Sequence, residues 1–444
     1  MEAITLVDRL EALIRPGDAV WWGQATAEPL TLTRTFAQHR HLLARDGRLR
    51  VFVGIGNAPT LQPQMADVFD FFGYAASGSH RALAEAGVLD ILPCHYSHLP
   101  DLIRTGTLAA DVALIQVSFP DNAGRYSLGQ VREYMPAVLE RARVIVAEVN
   151  ADVPWTYGGP YLEAHQIDLL VEAENGIPDV GKGAPGEIER TIARLIAARV
   201  EDGATLQVGI GNLPDAVLAA LTEHRDLGLH SGAVVDGVVT LAEAGILTNA
   251  RKGMDEGIGI GGILMGSERL RRWAHRNPAL QLRETDYTHH PEVLSCLRRF
   301  TAINSAIEVD LTGQINAEVA GGLYVGAVGG AADFLRGAAR SQGGVPIIAL
   351  PARAKTESRI VANLSGPVST SRADAGLVVT EFGVADLRGQ PLSRRVSRMI
   401  DIAAPEHRDA LEREAHAVLR QGGAVFVAPS TRATHSESQI TSKE

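Results

Sequence analysis

The segment Gly228–Gly237 brings together three side chains that could do chemistry: His230, Ser231 and Asp236. It follows the glycine turn 208–214 and a run from Asp215 to His224 that we expect to be a helix. The order strand, tight turn, helix and second strand end is typical of open α/β sheets, whose ligands bind at the carboxyl ends of strands. The sequence therefore predicts chemistry at this segment.

One interpretation is a Ser/His/Asp triad with Ser231 as nucleophile and His230 as its base. Neighbouring residues rarely reach triad geometry, and no Gly-x-Ser-x-Gly elbow surrounds the serine. The turn offers a second interpretation, because Gly209, Gly211 and Asn212 lead into a helix whose first N–H groups could meet an anion or an oxyanion. A tight strand-to-helix connection needs glycine in any case, so a purely structural role stays open.

Further candidates lie beyond residue 280. Gly329 and Gly330 belong to another glycine loop that enters a helix, and they could serve an anion or an oxyanion in the same way. Lys355 follows a predicted strand, where it could contact a phosphate or simply lie in a solvated loop. Glu381 places a carboxylate at a predicted strand end. At 289–290, two adjacent histidines point to opposite sides of an extended chain, so one of them could face a pocket as a donor.

Metal and redox chemistry have little support in the sequence. The segment Cys94–His98 contains one cysteine and two histidines, but zinc needs about four ligands from two segments, and no partner pair exists. We therefore expect no metal and a buried Cys94. Only two cysteines occur, which argues against a disulfide scaffold and favours a reducing compartment.

Composition narrows the class of protein. The chain has 444 residues, 45% of them hydrophobic and 21% charged, which favours two packed domains. A net charge of −10 makes nucleic acid an improbable partner. The N-terminus lacks the features of a signal peptide, and no run of about 18 apolar residues occurs. We expect a cytoplasmic α/β protein without a membrane segment.

The order of elements predicts parallel sheets with crossover helices, because strand-like runs such as 112–117 and 144–149 alternate with helical segments. The turn 54–59 recurs nearly intact at 209–214, which hints at two related halves, although glycine turns can also resemble one another by chance. A break in the pattern near 181–185 predicts domains at 1–185 and 186–429. We expect the Ser- and Thr-rich tail 430–444 to be disordered.

Several longer stretches resemble the acetyl-CoA hydrolase/transferase family, which belongs to the class I CoA-transferases and includes the 4-hydroxybutyrate, butyrate and succinate CoA-transferases. The resemblance covers about 23–415, and its most specific stretches are 111–118, 147–150, 303–314, 329–334 and 380–389. It implies two similar open-sheet α/β domains of the CoA-transferase type, with the active site between them. It also implies a homo-oligomer, with acyl-CoA and a small carboxylic acid as substrates.

The resemblance implies a ping-pong reaction. A glutamate attacks the thioester and forms an acyl-glutamyl anhydride, then a glutamyl-CoA thioester that the acceptor carboxylate resolves. Coenzyme A is then a substrate, and no bound cofactor is needed. Gly330 falls in the loop that supplies a backbone donor to the oxyanion. His289 falls where relatives commonly carry an asparagine donor, and the charge of a histidine there would depend on pH. The residues that we expect to bind CoA are Gly209, Gly211, Asn212, Gly329, Gly330 and Lys355.

One departure from the family pattern concerns the nucleophile. Members read His-Thr-Glu where this chain reads His-Ser-Gly, so Gly232 occupies the position of the glutamate. Three interpretations follow: a CoA-transferase with a displaced or atypical carboxylate nucleophile, an acyl-CoA hydrolase or related acyl-CoA enzyme that activates water through Asp236 or Glu381, and a non-catalytic acyl-CoA-binding protein. The oxyanion features persist, with His289 and Gly330 among the catalytic candidates, and they favour an enzyme over a binding protein. Between the two enzymes, we rank the transferase above the hydrolase.

Overall fold

A seven-stranded parallel sheet forms the first half of the chain in this computed structural model, which describes residues 4–180 and 183–421. Neighbouring side chains alternate between its two faces. Trp21 stacks on Phe52 in one apolar cluster, whereas Trp22 packs against Phe36 in the other. From edge to edge, the strands are Leu89–Ile91, Phe69–Gly73, Leu49–Val53, Ala19–Trp22, Val112–Val117, Val144–Val149 and Leu169–Glu172.

Helices connect these strands and cover the sheet, which is why its strands are apolar on both faces. The first helix begins after Thr5, whose side chain forms a reciprocal capping box with Asp8. The helices of this half are Leu6–Leu13, Leu30–Gln38, Arg40–Leu43, Arg81–Glu85, Leu99–Arg104 and Met135–Arg141. Short 3-10 turns occupy Ala25–Ala27, Pro63–Asp67, Tyr96–His98 and Ala164–Gln166.

A six-stranded sheet forms the second half. Its strands run parallel except the last, which is antiparallel to its neighbour. In order they are Gly228–Leu229, Thr205–Val208, Thr301–Ser305, Val345–Ala349, Leu377–Thr380 and Gly383–Asp386. The helices are Glu187–Ala197, Asn212–Ala219, Asp236–Glu243, Glu268–Ala274, Thr285–Thr288, Pro291–Cys296, Ala331–Arg340, Leu392–Asp401 and Pro405–Gln421.

Short strands fill the space around the two sheets. Five two-stranded pairs are Arg125–Tyr126 with Leu162–Glu163, Ala233–Val234 with Ile263–Leu264, Gly259–Gly261 with Leu280–Leu282, Val319–Ala320 with Leu323–Tyr324, and Arg353–Ala354 with Glu357–Ser358. A three-stranded sheet contains Ile315–Asn316, Glu308–Asp310 and Ile360–Val361.

Both sheets reverse their strand order at one point. The first reverses between Ala19–Trp22 and Val112–Val117, and the second between Thr205–Val208 and Thr301–Ser305. Crevices for ligands open at such switch points, outside the carboxyl ends of the strands. The fold therefore provides two places for a site, and segments that cross between the halves bring them together.

Backbone hydrogen bonds join the two halves near these switch points. Arg132 N donates to Gly262 O at 2.9 Å, and Tyr96 N donates to Gly329 O at 3.0 Å. The hydroxyl of Ser97 donates to the carboxylate of Asp333 at 2.9 Å. These contacts fix segments of the first half against the glycine loop of the second.

The α/β class and the parallel sheets that the sequence predicts are confirmed, and the strands Val112–Val117 and Val144–Val149 have the expected bounds. The predicted tail 430–444 lies outside the described residues. Across residues 4–180 and 183–421, no helix is long and apolar enough to cross a bilayer. Within the same residues, no three His, Cys, Asp or Glu side chains are grouped closely enough to hold a metal ion.

Candidate active site

A cavity of about 260 Å³ lies where the switch points of the two sheets meet. The first half contributes Gln24, Ile55, Tyr74, Ala75, Ser77, Tyr96 and Glu133 to its wall. The second half contributes Gln207, Val208, Gly209, Ile210, Gly232, Ala233, Ile263, Met265, His289, Asn304, Gly326, Ala327, Gly329, Gly330, Ala331 and Phe334. The wall is mostly apolar with a few polar side chains, which is typical of a small-molecule site.

The two similar glycine turns face this cavity from opposite halves. Ile55 belongs to the first turn, and Gly209 and Ile210 belong to the second. At the floor, the amides of Gln207 and Asn304 form a reciprocal pair, with Asn304 Nδ2 donating to Gln207 Oε1 at 2.9 Å. Both copies of the repeated turn therefore reach one site, although the first follows a strand next to the switch point and the second follows a strand at the switch point.

Gln24 organises the polar part of the wall. Its Oε1 accepts from the Tyr74 hydroxyl at 2.7 Å and from Ile55 N at 2.9 Å. Its Nε2 then faces the other way, and it donates to Glu133 Oε2 at 2.8 Å and to the Tyr96 hydroxyl at 3.1 Å. Because the amide oxygen already accepts two donors, the orientation of the whole side chain is fixed.

Glu133 is a buried carboxyl group that lines the cavity, with 4% of its surface exposed. Burial raises its pKa to about 7, while the hydrogen bonds from Gln24 and Tyr96 oppose that shift. Its backbone has φ 44°, in the left-handed region that non-glycine residues seldom adopt. Burial thus favours the protonated carboxyl group, and the hydrogen bonds from Gln24 and Tyr96 orient it.

Gly232 lines the cavity and leaves room there for a Cβ. A Cβ added there would lie 3.4 Å from His289 Cε1 and 3.7 Å from Phe334 Cζ, which are ordinary contact distances. Gly330 differs, because its Cβ would lie 2.5 Å from His289 Nε2. The packing thus requires a glycine at 330 but would accept a Cβ at 232.

His289 projects its ring between these two glycines. Burial lowers its pKa to about 3, so the imidazole is neutral at neutral pH. Its Nδ1 lies 2.9 Å from the Thr288 hydroxyl, and its Nε2 faces the glycines. The Thr288 hydroxyl has a second acceptor, Glu284 O, at the longer distance of 3.3 Å. Donation along the shorter contact to Nδ1 leaves the proton on Nε2, which then can donate to an oxyanion in the cavity.

Gly330 caps the helix Ala331–Arg340, whose residues Phe334, Leu335 and Ala338 are buried. The first N–H groups of a helix have no partner within the helix, and they attract negative charge. The cavity therefore combines a helix N-terminus with a neutral imidazole. An oxyanion formed from a carbonyl group would be stabilised there.

The triad interpretation of the opening segment is not supported by the observed contacts. His230 Nε2 lies 3.1 Å from Thr288 O, and Ser231 Oγ donates to Val208 O at 3.0 Å. Ser267 donates to Asp236 through its backbone N and its hydroxyl, at 3.0 and 2.7 Å. The three side chains are thus engaged with different partners.

Of the predicted site residues, the structure brings Gly209, His289, Gly329 and Gly330 to the cavity together with Gly232. The others lie elsewhere among the described residues. Asp236 begins the helix Asp236–Glu243 beside Ser267, and Glu381 accepts from Ala352 N at 2.8 Å. Lys355 occupies the exposed turn between Arg353–Ala354 and Glu357–Ser358. Gly211 and Asn212 begin the helix Asn212–Ala219 and are not among the residues that line the cavity.

Sequence reasoning missed Gln24, Tyr74, Tyr96 and Glu133. They come from separate connections of the first half, and no spacing along the chain indicates that they converge. The one available signal is position, because Gln24 and Tyr74 closely follow the strands Ala19–Trp22 and Phe69–Gly73. Residues after parallel strands are the ones that reach the carboxyl edge of a sheet.

The fold and the cavity define an α/β protein with a candidate small-molecule site between two sheets. Comparison with known families gives the specific assignment. Residues 4–177 match the acetyl-CoA hydrolase/transferase N-terminal domain, and residues 266–415 match the C-terminal domain of the same family. The chain belongs to the acetyl-CoA hydrolase/transferase family.

Individual relatives extend this similarity over nearly the whole chain. The 4-hydroxybutyrate coenzyme A transferase of Clostridium kluyveri is 34% identical over 421 residues, 93% of this chain and 97% of that protein. The structure of RipA from Yersinia pestis has a TM-score of 0.88 at 30% identity and covers 93% of this chain and 97% of that one. The structure of a 4-hydroxybutyrate CoA-transferase from Porphyromonas gingivalis has a TM-score of 0.76 at 34% identity and covers 92% of this chain and 96% of that one.

Proposed function

We propose that this protein is a CoA-transferase that moves CoA between an acyl-CoA and a small carboxylic acid. The observation that carries the proposal is the arrangement of His289 Nε2 and the Gly330 loop around the open space beside Gly232. A thioester carbonyl that becomes an oxyanion needs such donors already in place. The names of the two 4-hydroxybutyrate CoA-transferases agree with this proposal.

The proposed mechanism uses an acyl-enzyme intermediate on a displaced carboxylate. A side chain is absent at Gly232, the position that we assign to the usual nucleophile, so no anhydride can form there. Covalent transfer still suits the reaction, because it divides one difficult exchange into easier steps. Another carboxylate of the cavity must then attack the thioester.

Hydrolysis is the second candidate, and the open space beside Gly232 favours it, because a water molecule could enter there. Asp236 and Glu381, the predicted bases, argue against it. The first accepts hydrogen bonds from Ser267, and the second accepts one from Ala352 N. A base must reach the attacking water within hydrogen-bonding distance. Neither predicted base lines the cavity, and on that ground we rank transfer above hydrolysis. Glu133 does line it and can serve either reaction, so the products decide between the two.

Product analysis distinguishes the candidates. The protein is incubated with acetyl-CoA, butyryl-CoA or succinyl-CoA, with and without acetate, succinate or itaconate, and the CoA esters are followed by chromatography. We expect new CoA esters only when an acceptor is present. Free CoA that accumulates without an acceptor would support hydrolysis instead. Binding of acyl-CoA without any conversion would indicate a non-catalytic binding protein.

Several further properties belong to the same proposal. The enzyme works in the cytoplasm as a homo-oligomer, with CoA as a substrate and no bound cofactor. Its two α/β domains comprise 1–185 and 186–429. The CoA moiety contacts the glycine loops and extends toward Lys355, whose ammonium group suits a phosphate. Light scattering of the purified protein tests the oligomeric state. The variant Lys355→Ala tests the phosphate contact, because its loss should raise the KM for CoA esters.

A further inference from the structure

Glu133 is the only residue with a carboxyl group in the cavity wall, within the part of the chain that the structure describes. It comes from the first half, just before the helix Met135–Arg141. The sequence offers no hint of its role, because it lies 99 positions before Gly232. The fold alone brings the two residues to one site.

Glu133 and Gly232 both lie next to Gly262. A Cβ added at Gly262 would lie 3.2 Å from Glu133 Cγ and 2.8 Å from Gly232 O. The backbone around this point is fixed, since Gly262 N donates to Gly232 O at 2.8 Å and Arg132 N donates to Gly262 O at 2.9 Å. Glu133 and Gly232 therefore flank one backbone position and line the same cavity.

The carboxyl group is also oriented. Oε2 accepts from Gln24 Nε2 at 2.8 Å, and the Tyr96 hydroxyl forms a second hydrogen bond to the same group. The Tyr96 ring in turn lies against His289, with ring centroids 5.2 Å apart. A continuous set of contacts thus leads from the carboxyl group to the oxyanion donor. Such support is what a reacting group needs to hold its geometry.

Building on the proposed CoA transfer, we propose that Glu133 is its nucleophile and that its carboxylate attacks the thioester in the space beside Gly232. Gln24 and Tyr96 are then positioning residues. The glycine at 232 follows from this assignment. A glutamate there would place a second carboxylate next to the first, and like charges that share a site disfavour ionisation of both.

The chemical steps balance without any further reactant. A Glu133 oxygen bonds to the thioester carbonyl carbon, and the C–S bond breaks to give the anhydride and CoA thiolate. The thiolate attacks the glutamyl carbonyl carbon, and the acyl group leaves as a carboxylate with one Glu133 oxygen. The acceptor carboxylate then attacks the glutamyl-CoA thioester and forms a second anhydride. CoA thiolate attacks its acceptor carbonyl, which releases the new acyl-CoA and restores Glu133.

Burial supports this assignment. A carboxylate without water around it is less stabilised than one in solvent, and the raised pKa of Glu133 reports that loss. A carboxylate nucleophile is activated by such a setting because its attack neutralises the unfavourable charge. The hydrogen bonds from Gln24 and Tyr96 oppose that shift in pKa and stabilise the ionised form.

The test compares wild type, Glu133→Gln and the double variant Glu133→Gln/Gly232→Glu. Each protein is incubated with acetyl-CoA, butyryl-CoA or succinyl-CoA, treated with hydroxylamine, and digested with trypsin. Hydroxylamine converts a glutamyl-CoA thioester into a hydroxamate that mass spectrometry locates. The tryptic peptide 133–141 contains Glu133, and the peptide 226–251 contains residue 232, so the two positions are separated. Fragmentation distinguishes Glu133 from Glu140 within the first peptide.

In the wild type, we expect the hydroxamate on Glu133. In Glu133→Gln, the hydroxamate should be absent. The rate of acceptor-dependent exchange should fall at least about 1,000-fold, as it does when the nucleophile is removed from other enzymes. The double variant should regain exchange, and its hydroxamate should lie on residue 232. Glu148→Gln is a matched control, because Glu148 is also a buried carboxyl group with a pKa raised to about 7 but lies outside the cavity wall. It should retain wild-type exchange.

Two results would overturn the assignment in different ways. Exchange that persists in folded Glu133→Gln, with the hydroxamate on another peptide, would remove Glu133 as nucleophile and leave the proposed CoA transfer intact. Absence of exchange in wild type and in the double variant, for every donor and acceptor pair, would contradict the proposed function itself. Circular dichroism and thermal unfolding of each variant confirm that a loss of exchange does not arise from misfolding.

Discussion

The imidazole of His289 lies against the open side of Gly232, with Cε1 3.4 Å and Nε2 3.6 Å from the position that a Cβ would take. The same nitrogen lies 2.5 Å from the corresponding position on Gly330. The neutral ring of His289 thus lies beside both glycines, but the packing requires a glycine only at 330. This difference allows the two glycines to be tested separately.

Gly330→Ala should destabilise the protein by about 1–3 kcal/mol, because its methyl group must displace His289 from the cavity. Gly232→Ala has ordinary contacts and a backbone φ outside the left-handed region, so its stability should stay within about 0.5 kcal/mol of wild type. Urea unfolding measures both variants. Equal destabilisation of the two would contradict the described position of His289.

Thr288 should control which nitrogen of His289 carries the proton. Thr288→Val removes the hydroxyl that lies 2.9 Å from Nδ1, and the proton can then move away from Nε2. We expect kcat to fall by roughly 10- to 100-fold with KM nearly unchanged, since the donor acts on the transition state. Thr288→Ser keeps the hydroxyl and should keep most of the activity. An unchanged kcat in the valine variant would exclude this role.

CoA transfer should depend on the ionisation of Glu133. Its pKa of about 7 predicts that kcat/KM rises with pH and levels off near pH 8, because only the carboxylate attacks. Tyr74, Tyr96 and Tyr134 face the same group, but burial raises the pKa of each far above this range. His289 stays neutral because its pKa is about 3. Rate measurements from pH 5.5 to 9 test the profile.

Glu148 again provides the control for this profile. Burial raises its pKa to about 7 as well, although Thr31 N and Leu32 N donate to its carboxylate. Glu148→Gln should leave the ascending limb of kcat/KM in place. Loss of the limb in this variant, or a flat wild-type profile, would contradict the link between rate and Glu133.

The buried charge of Glu133 should also affect stability. Its pKa is raised from 4.5 to about 7 on folding, so the folded state binds the proton more tightly, and this group lowers stability as pH rises through that window. Glu133→Gln removes the charge and should raise the free energy of unfolding by about 2–3 kcal/mol at pH 8. The gain should shrink toward zero at pH 4.5. Urea unfolding at the two pH values measures it.

An equal effect of Glu133→Gln at pH 8 and pH 4.5 would show that packing, not charge, causes the change. A loss of stability at pH 8 would mean that the hydrogen bonds from Gln24 and Tyr96 outweigh the burial of the charge. Tyr96→Phe separates the contribution of the hydrogen bonds to stability from that of charge burial, because it removes one hydrogen bond and leaves the carboxyl group buried.

Much of the fold could be predicted from local pattern. The runs Val112–Val117 and Val144–Val149 are apolar throughout, as strands covered on both faces must be, and both match the observed strands. Boundaries of helices were less predictable. The helix expected from Asp215 to His224 is Asn212–Ala219, because the turn at Gly211 already supplies the start.

The site could be predicted only where chemistry follows a local motif. Gly209, Gly330 and His289 belong to recognisable stretches, and they do line the cavity. Glu133 and Gln24 do not, because their meeting depends on how two sheets and their connections pack. Its closeness in sequence to Gly232 predicts a catalytic role for Asp236. In the structure, however, a helix begins at Asp236 and its carboxylate accepts a hydrogen bond from Ser267.

The source of oxygen in the released acid tests CoA transfer most directly. In the proposed reaction, the released acid takes one oxygen from the enzyme carboxylate, and the acceptor carboxylate later replaces that oxygen on the enzyme. In hydrolysis, it comes from water. Turnover of butyryl-CoA with acetate in water enriched in oxygen-18, followed by mass spectrometry of the butyrate, distinguishes the two.

We predict butyrate without solvent oxygen in enriched water, and butyrate labelled from oxygen-18 acetate in ordinary water. Butyrate that carries one solvent oxygen for each molecule released would contradict the account and show that water attacks the thioester.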